Sequence, residues 1–235
     1  MKNKDFFYEQ YNKINWSNQD STHLNVSVNE FVIDKIISKK ELPFNFFDIG
    51  SGIGFFIRML KDKFGDSIPV EGCEPSQKSY DHFIKSDISK NNVKILRDTF
   101  QNIETTTKFD FIIAIYVFPH FIESDLVEIA KKIFNMLNDS GKLIIVVSNE
   151  EYLRNKLATK KDLFIEQNII EFNGKEYKEY LHYVEIPGMG TVIDYDREED
   201  YYRDLLENNG LKLTEKDNIN SDGYICTIFT FEKSR

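Results

Sequence analysis

Phe46-Phe47-Asp48-Ile49-Gly50-Ser51-Gly52-Ile53-Gly54 is the stretch from which the rest of the chain is read. Phe44, Phe46, Phe47 and Ile49 form the short, wholly apolar run of a strand buried on both faces of a parallel sheet, and Pro43 marks where the preceding element stops. Three glycines then let the backbone turn tightly into a helix predicted from about Ile53. They also leave main-chain N–H groups bare at the positive end of that helix, where a polar ligand can lie. A strand, a glycine turn and a helix in this order make the frame of a nucleotide-type site. The plainer alternative is that the glycines only turn the chain.

The spacing decides between nucleotides. The dinucleotide fingerprint is G-x-G-x-x-G, whereas this chain has G-x-G-x-G, with Asp48 two positions before Gly50. The pattern resembles motif I of the class I methyltransferases, which bind S-adenosylmethionine, and the resemblance places Asp48, Gly50, Ser51, Gly52 and Gly54 at the cofactor. Residues 68–76 form a second short strand ending at Glu74, with Pro75 able to take the first position of the next helix, where its missing N–H costs nothing. An ionised carboxylate offers only acceptors and suits two ribose hydroxyls. The family's second strand also ends in an acid, which brings Glu74 and Pro75 into the cofactor set.

A helix over 75–88 and a third strand over 93–96 lead to Asp98-Thr99-Phe100. In the family, an Asp here accepts from the adenine amine, the next backbone N–H groups serve the ring nitrogen, and an apolar neighbour packs on the ring. By resemblance Asp98, Thr99 and Phe100 take those roles, although Asp is also an ordinary turn residue. Residues 108–116 form the fourth strand, and the family's fourth motif implies that Ile115 and Tyr116 approach the methyl group. Two departures stand out: Pro119 occupies the usual place of an acid, and Tyr116 that of a small or polar residue or a His. His120 keeps the usual histidine, either holding the loop or serving as general base; it is the candidate catalytic residue.

With 235 residues the chain can bury one sizeable core. Its 30 basic and 39 acidic residues give a net charge of −9, which works against a surface that tracks phosphates, so no nucleic-acid partner is expected. No run approaches the roughly 20 apolar residues of a membrane span, the first residues lead into no long apolar segment, and a cytoplasmic protein is expected. Cys73 and Cys226 lie far apart in apolar strand contexts and are expected as buried free thiols, and no metal-ligand spacing is present.

Residues 1–25 are rich in aromatics and amides, including Tyr11, Trp16 and His23. They read either as edge cover or, as in many small-molecule methyltransferases, as a lid over the cofactor. Ser27 and Glu30 fit a capping box, with Val26 and Phe31 as its staple, before an apolar stripe at Val28, Val32 and Ile36. A helix from Ser124, a turn over 138–141 and a fifth strand over 143–147 complete the alternation, which implies a parallel, doubly wound sheet.

The segment that follows is this chain's own addition. A helix over 150–157 precedes strand-like runs over 164–172 and 175–186, joined by Asn173-Gly174, the strongest short hairpin signal. An extended run over 191–195 follows. Such an insert stands beside the carboxyl edge and is expected either to cap the substrate, with His182 and Tyr183 as candidates, or to serve as a dimerisation arm or edge cover. Asp196 and Glu199 look like a capping pair for the next helix, whose apolar face is Tyr201, Tyr202, Leu205 and Leu206. Strands over 211–215 and 224–231, separated by a polar turn over 218–223, close the fold.

The expected fold is thus α/β, a doubly wound, seven-stranded, mostly parallel sheet of Rossmann-like methyltransferase type. Its last strand is antiparallel, and a β-hairpin insert follows strand 5. One domain is expected over residues 1–235: a lid segment over 1–25, a cofactor core over 26–148, a cap insert over 149–196, and a closing helix and strand pair over 197–235. The resemblance implies methyl transfer from S-adenosylmethionine to an O or N atom of a small-molecule acceptor, by a monomer or homodimer. Where the acceptor arrives protonated, His120, His23, His182 or Asp194 could take the proton. Two alternatives stay open: a non-catalytic module that binds the cofactor for regulation or as a partner, and an NAD-dependent oxidoreductase on a similar sheet.

Overall fold

The computed structural model describes residues 10, 13, 23–37, 44–90, 92–186, 190–221 and 223–234. Tyr11 and Trp16 of the expected lid lie outside these residues. Helix α1 spans His23–Ile37. It begins one turn before the expected Ser27–Glu30 box, which therefore lies inside the helix and caps nothing. Leu24 continues the i, i+4 series of Val28, Val32 and Ile36, and neither Gly nor Pro interrupts it, so the pattern extends upstream.

Strand β1, Phe46–Ile49, is fully buried. Its alternation sends Phe46 to one face of the sheet and Phe47 to the other, where each joins a different core. Helix α2, Phe55–Phe64, starts two residues later than expected, after Gly54 in the left-handed conformation. Strand β2, Val70–Cys73, leads to α3, Gln77–Lys85, whose N-cap is Ser76; its hydroxyl accepts from Ser79 N at 3.3 Å. Pro75 therefore stands before the cap and not at the first helical position.

Strands β3, Val93–Leu96, and β4, Phe109–Ile115, are followed by helix α4, Glu123–Met136, and strand β5, Leu137–Ser148. The turn expected over 138–141 is instead a bulge inside β5. Pairing with β4 jumps from Phe109↔Leu137 to Phe111↔Lys142, and Ser140 sits at φ 63° to absorb the extra residues. Helix α5, Glu150–Thr159, then leads into the insert, made of β6, Phe164–Phe172, β7, Lys175–Ile186, and β8, Gly190–Arg197. The β6–β7 turn has Asn173 at φ 51° and Gly174 at φ 74°, both left-handed as a two-residue turn requires. The insert is more than the expected hairpin, because β8 adds a third antiparallel strand.

Helix α6, Glu199–Glu207, and strands β9, Leu211–Ser221, and β10, Tyr224–Lys233, close the chain. The expected Asp196–Glu199 cap is absent: Glu198 is the N-cap, without a side-chain capping bond, and Asp196 is bonded to Ser148 and His182. Strand β9 also runs on to Ser221, so that the reversal is confined to the end of the expected polar turn. Its even-numbered residues from Lys212 to Asn220 face solvent at the edge of the sheet, where a polar outer face is normal.

The large sheet has the order β3-β2-β1-β4-β5-β10-β9, parallel through its first five strands, with β10 antiparallel to both neighbours. Helices cover both faces. One core joins Phe47, Ile112, Ile145 and Phe229 to Leu126 and Ile133 of α4 and Tyr202 and Leu205 of α6. The other joins Phe46, Ile113, Val146 and Ile228 to Val32 of α1, Leu60 of α2 and Phe83 of α3. Each such aromatic or aliphatic side chain contributes roughly 1.5–3 kcal/mol by leaving water. Strand order reverses between β1 and β4, which opens a crevice at the carboxyl ends of these strands. No helix among the described residues is long and apolar enough to cross a membrane.

Candidate active site

The glycine turn is held by its neighbours on both sides. Ser51 N donates to Cys73 O at 3.0 Å, and the Ser51 hydroxyl donates to Asp48 O at 3.1 Å. Gly50 has φ 68°, and a Cβ there would lie 2.7 Å from Val117 Cγ2, so this position excludes a side chain twice over. Glu74, just past β2, reaches across to the same turn. Its Oε2 accepts from Gly52 N at 2.8 Å and its Oε1 from Ser76 N at 2.7 Å. Burial pushes the carboxyls of Asp48 and Glu74 up to about 7 each. Each Glu74 oxygen keeps a further lone pair beyond its backbone donor, which is what a pair of ribose hydroxyls needs.

Next along the edge, Asp98 is exposed, and its Oδ1 accepts from Thr99 N at 2.7 Å and from Asn102 Nδ2 at 2.9 Å. The Thr99 hydroxyl is buried and has no hydrogen-bond partner among the described residues. Phe100 departs from its expected role. Its ring is 2% exposed, packed 5.8 Å from Phe47 and beneath Lys132, whose ammonium lies 5.2 Å away and donates to Phe100 O. It belongs to the core, because the 3-10 turn Phe100–Asn102 points it inward under α4. The spare acceptors of Glu74 and the orphaned Thr99 hydroxyl fit a nucleoside between β2 and β3.

At the end of β4, Ile115 and Tyr116 are half-buried, and Tyr116 holds φ 57°, an uncommon conformation for an aromatic residue. Its N–H donates to Val146 O, and its ring meets Tyr224 at 6.3 Å, which in turn meets Tyr152 at 5.0 Å. The ammonium of Lys156 lies over the rings of both Tyr152 and Tyr224, at 5.9 and 5.7 Å. The 3-10 turn Phe118–His120 follows, and His120 Nδ1 stands 3.4 Å from Asp194 Oδ1 on β8. Burial raises the Asp194 carboxyl, against the lowering effect of His120.

A second histidine–aspartate pair lies deeper. His182 Nε2 is 2.9 Å from Asp196 Oδ2, and its Nδ1 is 3.2 Å from Tyr183 O. Ser148 donates to the same Asp196 oxygen at 3.0 Å and bonds the Tyr224 hydroxyl at 3.0 Å. Burial opposes charge on His182, yet its pKa is raised, because Asp196 accepts from it and Asp194 adds to the attraction. With acceptors at both ring nitrogens the imidazolium is the favoured form. His182 is thus 2% exposed and locked in a buried network, whereas the adjacent Tyr183 faces solvent. His23 opens α1, and its side chain lies outside what is described.

The residues not expected from sequence are Ser148, Tyr152, Lys156, Glu179, Asp196, Arg197 and Tyr224. One signal was available: Asp194, Asp196 and Arg197 are charges within a strand whose remaining positions are mainly apolar or aromatic, and all three are buried. No group of three or more metal-ligating side chains occurs among the described residues.

A family profile described as a methyltransferase domain matches residues 28–216. No curated protein matches the chain. Among solved structures, the N-methyltransferase NodS from Bradyrhizobium japonicum WM9, in complex with S-adenosyl-L-homocysteine, superposes with a TM-score of 0.68 at 12% identity, covering 100% of each chain. Magnesium protoporphyrin IX methyltransferase from Synechocystis PCC 6803, with bound SAM, gives 0.61 at 14% identity, covering 88% of this chain and 79% of that one. An S-adenosylmethionine-dependent methyltransferase from Clostridium acetobutylicum ATCC 824 gives 0.62 at 16%, covering 88% and 91%.

Proposed function

The chain belongs to the methyltransferase domain family, and from that premise we propose that it transfers a methyl group from S-adenosylmethionine to an oxygen or nitrogen atom of a small-molecule acceptor. The observation that carries this reading is the placement of Glu74 and His120 on one edge of the sheet. Glu74 is bonded to the glycine turn after β1, and His120 is paired with Asp194 beyond β4.

Glu74 would hold the ribose hydroxyls, Gly50 and Gly52 would let the amino-acid end lie against the turn, and Asp98 with Thr99 would receive the adenine. Bound there, S-adenosylmethionine supplies an electrophilic methyl group on a positively charged sulfur. The chain's own task is to hold an acceptor atom in line with that group, which can contribute roughly 7–11 kcal/mol. Tyr116, Tyr152 and Tyr224 supply apolar walls that exclude water, and they suit a small, partly apolar acceptor. His120 removes the acceptor's proton, and Asp194 stabilises the imidazolium that forms; such a base contributes about 100-fold or more. The buried free thiols Cys73 and Cys226 suit a reducing compartment, and we assign the protein to the cytoplasm.

Calorimetric titration with S-adenosylhomocysteine tests the reading, with NAD and a Glu74→Ala variant as controls. Micromolar binding that the variant loses is the expected result, to be followed by a screen of acceptors with a labelled methyl group. Preference for NAD, or no binding of either, overturns the reading. Tight binding with no methyl transfer to any acceptor would instead favour a regulatory, non-catalytic protein.

A further inference from the structure

We infer that Arg197 is a positioning residue for His120, and that the inserted sheet is, through β8, a working part of the transfer site. The inference rests on the proposed role of His120. It starts from four residues, Phe118, Pro119, His120 and Phe121, which turn the chain from β4 towards α4. Arg197 Nη2 donates to Phe121 O at 2.9 Å, and its Nη1 donates to Phe118 O at 3.4 Å. The two carbonyls flank His120. One guanidinium thus clasps the turn on both sides of the histidine.

The clasp has a fixed base. Arg197 is 2% exposed, and its Nη2 lies 2.6 Å from Glu179 Oε2 on β7, the residue directly opposite it in the strand register. Its Nη1 also donates to Tyr195 O at 3.2 Å, and its backbone N–H donates to the Tyr202 hydroxyl at 3.3 Å. A buried ion pair is a poor device for stability alone, since apolar residues of similar volume serve as well or better. What only a guanidinium offers is a rigid fork of donors, able to meet two carbonyls and a carboxylate together.

The same strand governs the other end of the histidine. Asp194, three residues before Arg197, faces the imidazole at 3.4 Å. Main chain and ring of His120 are therefore both located by β8. A shift of the turn by an ångström would break the ring contact while leaving the glycine turn and Glu74 untouched.

The test needs no acceptor. The chain contains four histidines, so ring nitrogen NMR of uniformly ¹⁵N-labelled protein can be assigned with His→Gln variants. Two substitutions are compared. Arg197→Lys keeps a cation beside Glu179 but gathers its donors on one nitrogen, without the planar fork that meets Phe118 O and Phe121 O from two, and the double variant Glu179→Met/Arg197→Met removes both charges without leaving either unpaired. In both folded variants the His120 ring signals are expected to move towards those of an imidazole exchanging between its two neutral tautomers. The His182 signals should remain in place, and S-adenosylhomocysteine affinity should stay within about twofold of native, as for an independent site. Unchanged His120 signals in either folded variant overturn the inference. Failure of native protein to bind S-adenosylhomocysteine overturns the transfer reading instead, and the two outcomes are separately visible. Once an acceptor is known, Arg197→Lys should lower kcat about tenfold with little change in KM when rates are normalised to the fraction of enzyme that binds S-adenosylhomocysteine, so that loss of folded enzyme does not account for the fall.

Discussion

His120 Nδ1 and Asp194 Oδ1 face each other at 3.4 Å, across the boundary between the turn after β4 and the last strand of the insert. His120 lies four residues beyond Tyr116, past the end of β4, and Asp194 is buried. In the proposed transfer site Asp194 orients the imidazole through that contact. The acidic half of the pair comes from the three-stranded sheet of β6, β7 and β8.

Asp194→Asn should therefore lower methyl transfer about tenfold to a hundredfold in kcat while leaving S-adenosylhomocysteine binding unchanged. Labelled transfer at saturating cofactor measures the first quantity and calorimetry the second. Equal losses in both would mean that Asp194 supports the fold and not the proton transfer.

Asp48 and Glu74 make cofactor binding and stability respond to pH in opposite senses. Burial lifts both carboxyls from their ordinary range to about 7. A carboxyl raised in the folded state favours folding fully below its unfolded pKa, and that contribution, of the order of 3 kcal/mol apiece, is lost as pH rises through about 7. The ligand-free protein should thus melt at a lower temperature at pH 8 than at pH 6. In the proposed site the ribose hydroxyls need an ionised Glu74 as acceptor, so S-adenosylhomocysteine should bind more tightly over the same rise. Asp48→Asn should flatten the melting curve, and scanning calorimetry of both proteins from pH 5 to 8.5 checks it.

Where sequence and structure agree, the signal is local. Strands β1 and β3 are short, mainly apolar stretches, and Asn173-Gly174 specifies its own turn, so boundaries at 93–96, 164–172 and 175–186 follow from the residues themselves. The glycine turn and Glu74 were legible for the same reason. The misplaced features all depend on a distant partner. Asn218 looks like a turn residue until Thr227 of β10 pairs with it across the edge of the sheet. Residues 138–141 look like a turn until β4 pairs through them. Asp196 has the composition of a helix cap, but its bonds go to Ser148 and His182, 48 and 14 residues away. Phe100 follows Asp98 as an adenine neighbour should, yet Phe47 and Lys132 draw it into the core. The surroundings of His120, Asp194 and Asp196 were the least legible, because their contacts join β4, β5, β7, β8 and β10.

Gly50→Ala should destabilise the protein by about 2 kcal/mol or more. The left-handed backbone at φ 68° costs a side chain about 1–2 kcal/mol, and the new methyl group would stand 2.7 Å from Val117 Cγ2. Urea unfolding measures the loss. Because Gly50 lies in the turn proposed to hold the cofactor, the strain should also weaken S-adenosylhomocysteine binding; retention of native affinity would show that Val117 gives way without moving the glycine turn.

Glu199 ties the first turns of α5 and α6 to the far strands, and its loss should be felt most at neutral pH. Its Oε1 accepts from Asn149 Nδ2 at 3.0 Å, Glu150 N at 3.1 Å and the Thr227 hydroxyl at 2.6 Å, while Oε2 lies 2.6 Å from Lys216. Burial acts to raise its pKa, but the bonds from Lys216, Thr227 and Glu150 outweigh burial and hold it below the ordinary value. A depressed carboxyl stabilises the fold above its unfolded pKa, and that stability is lost as pH falls through the folded value. Glu199→Gln keeps the shape but gives up the charge-assisted bonds, worth roughly 1.5–3 kcal/mol each before compensation. The variant should therefore be less stable than native protein by about 2 kcal/mol at pH 7, with the gap closing below pH 4. Urea midpoints at the two pH values decide the matter: a gap independent of pH would assign the loss to packing, and a gap that closes with acid assigns it to the ionised carboxylate.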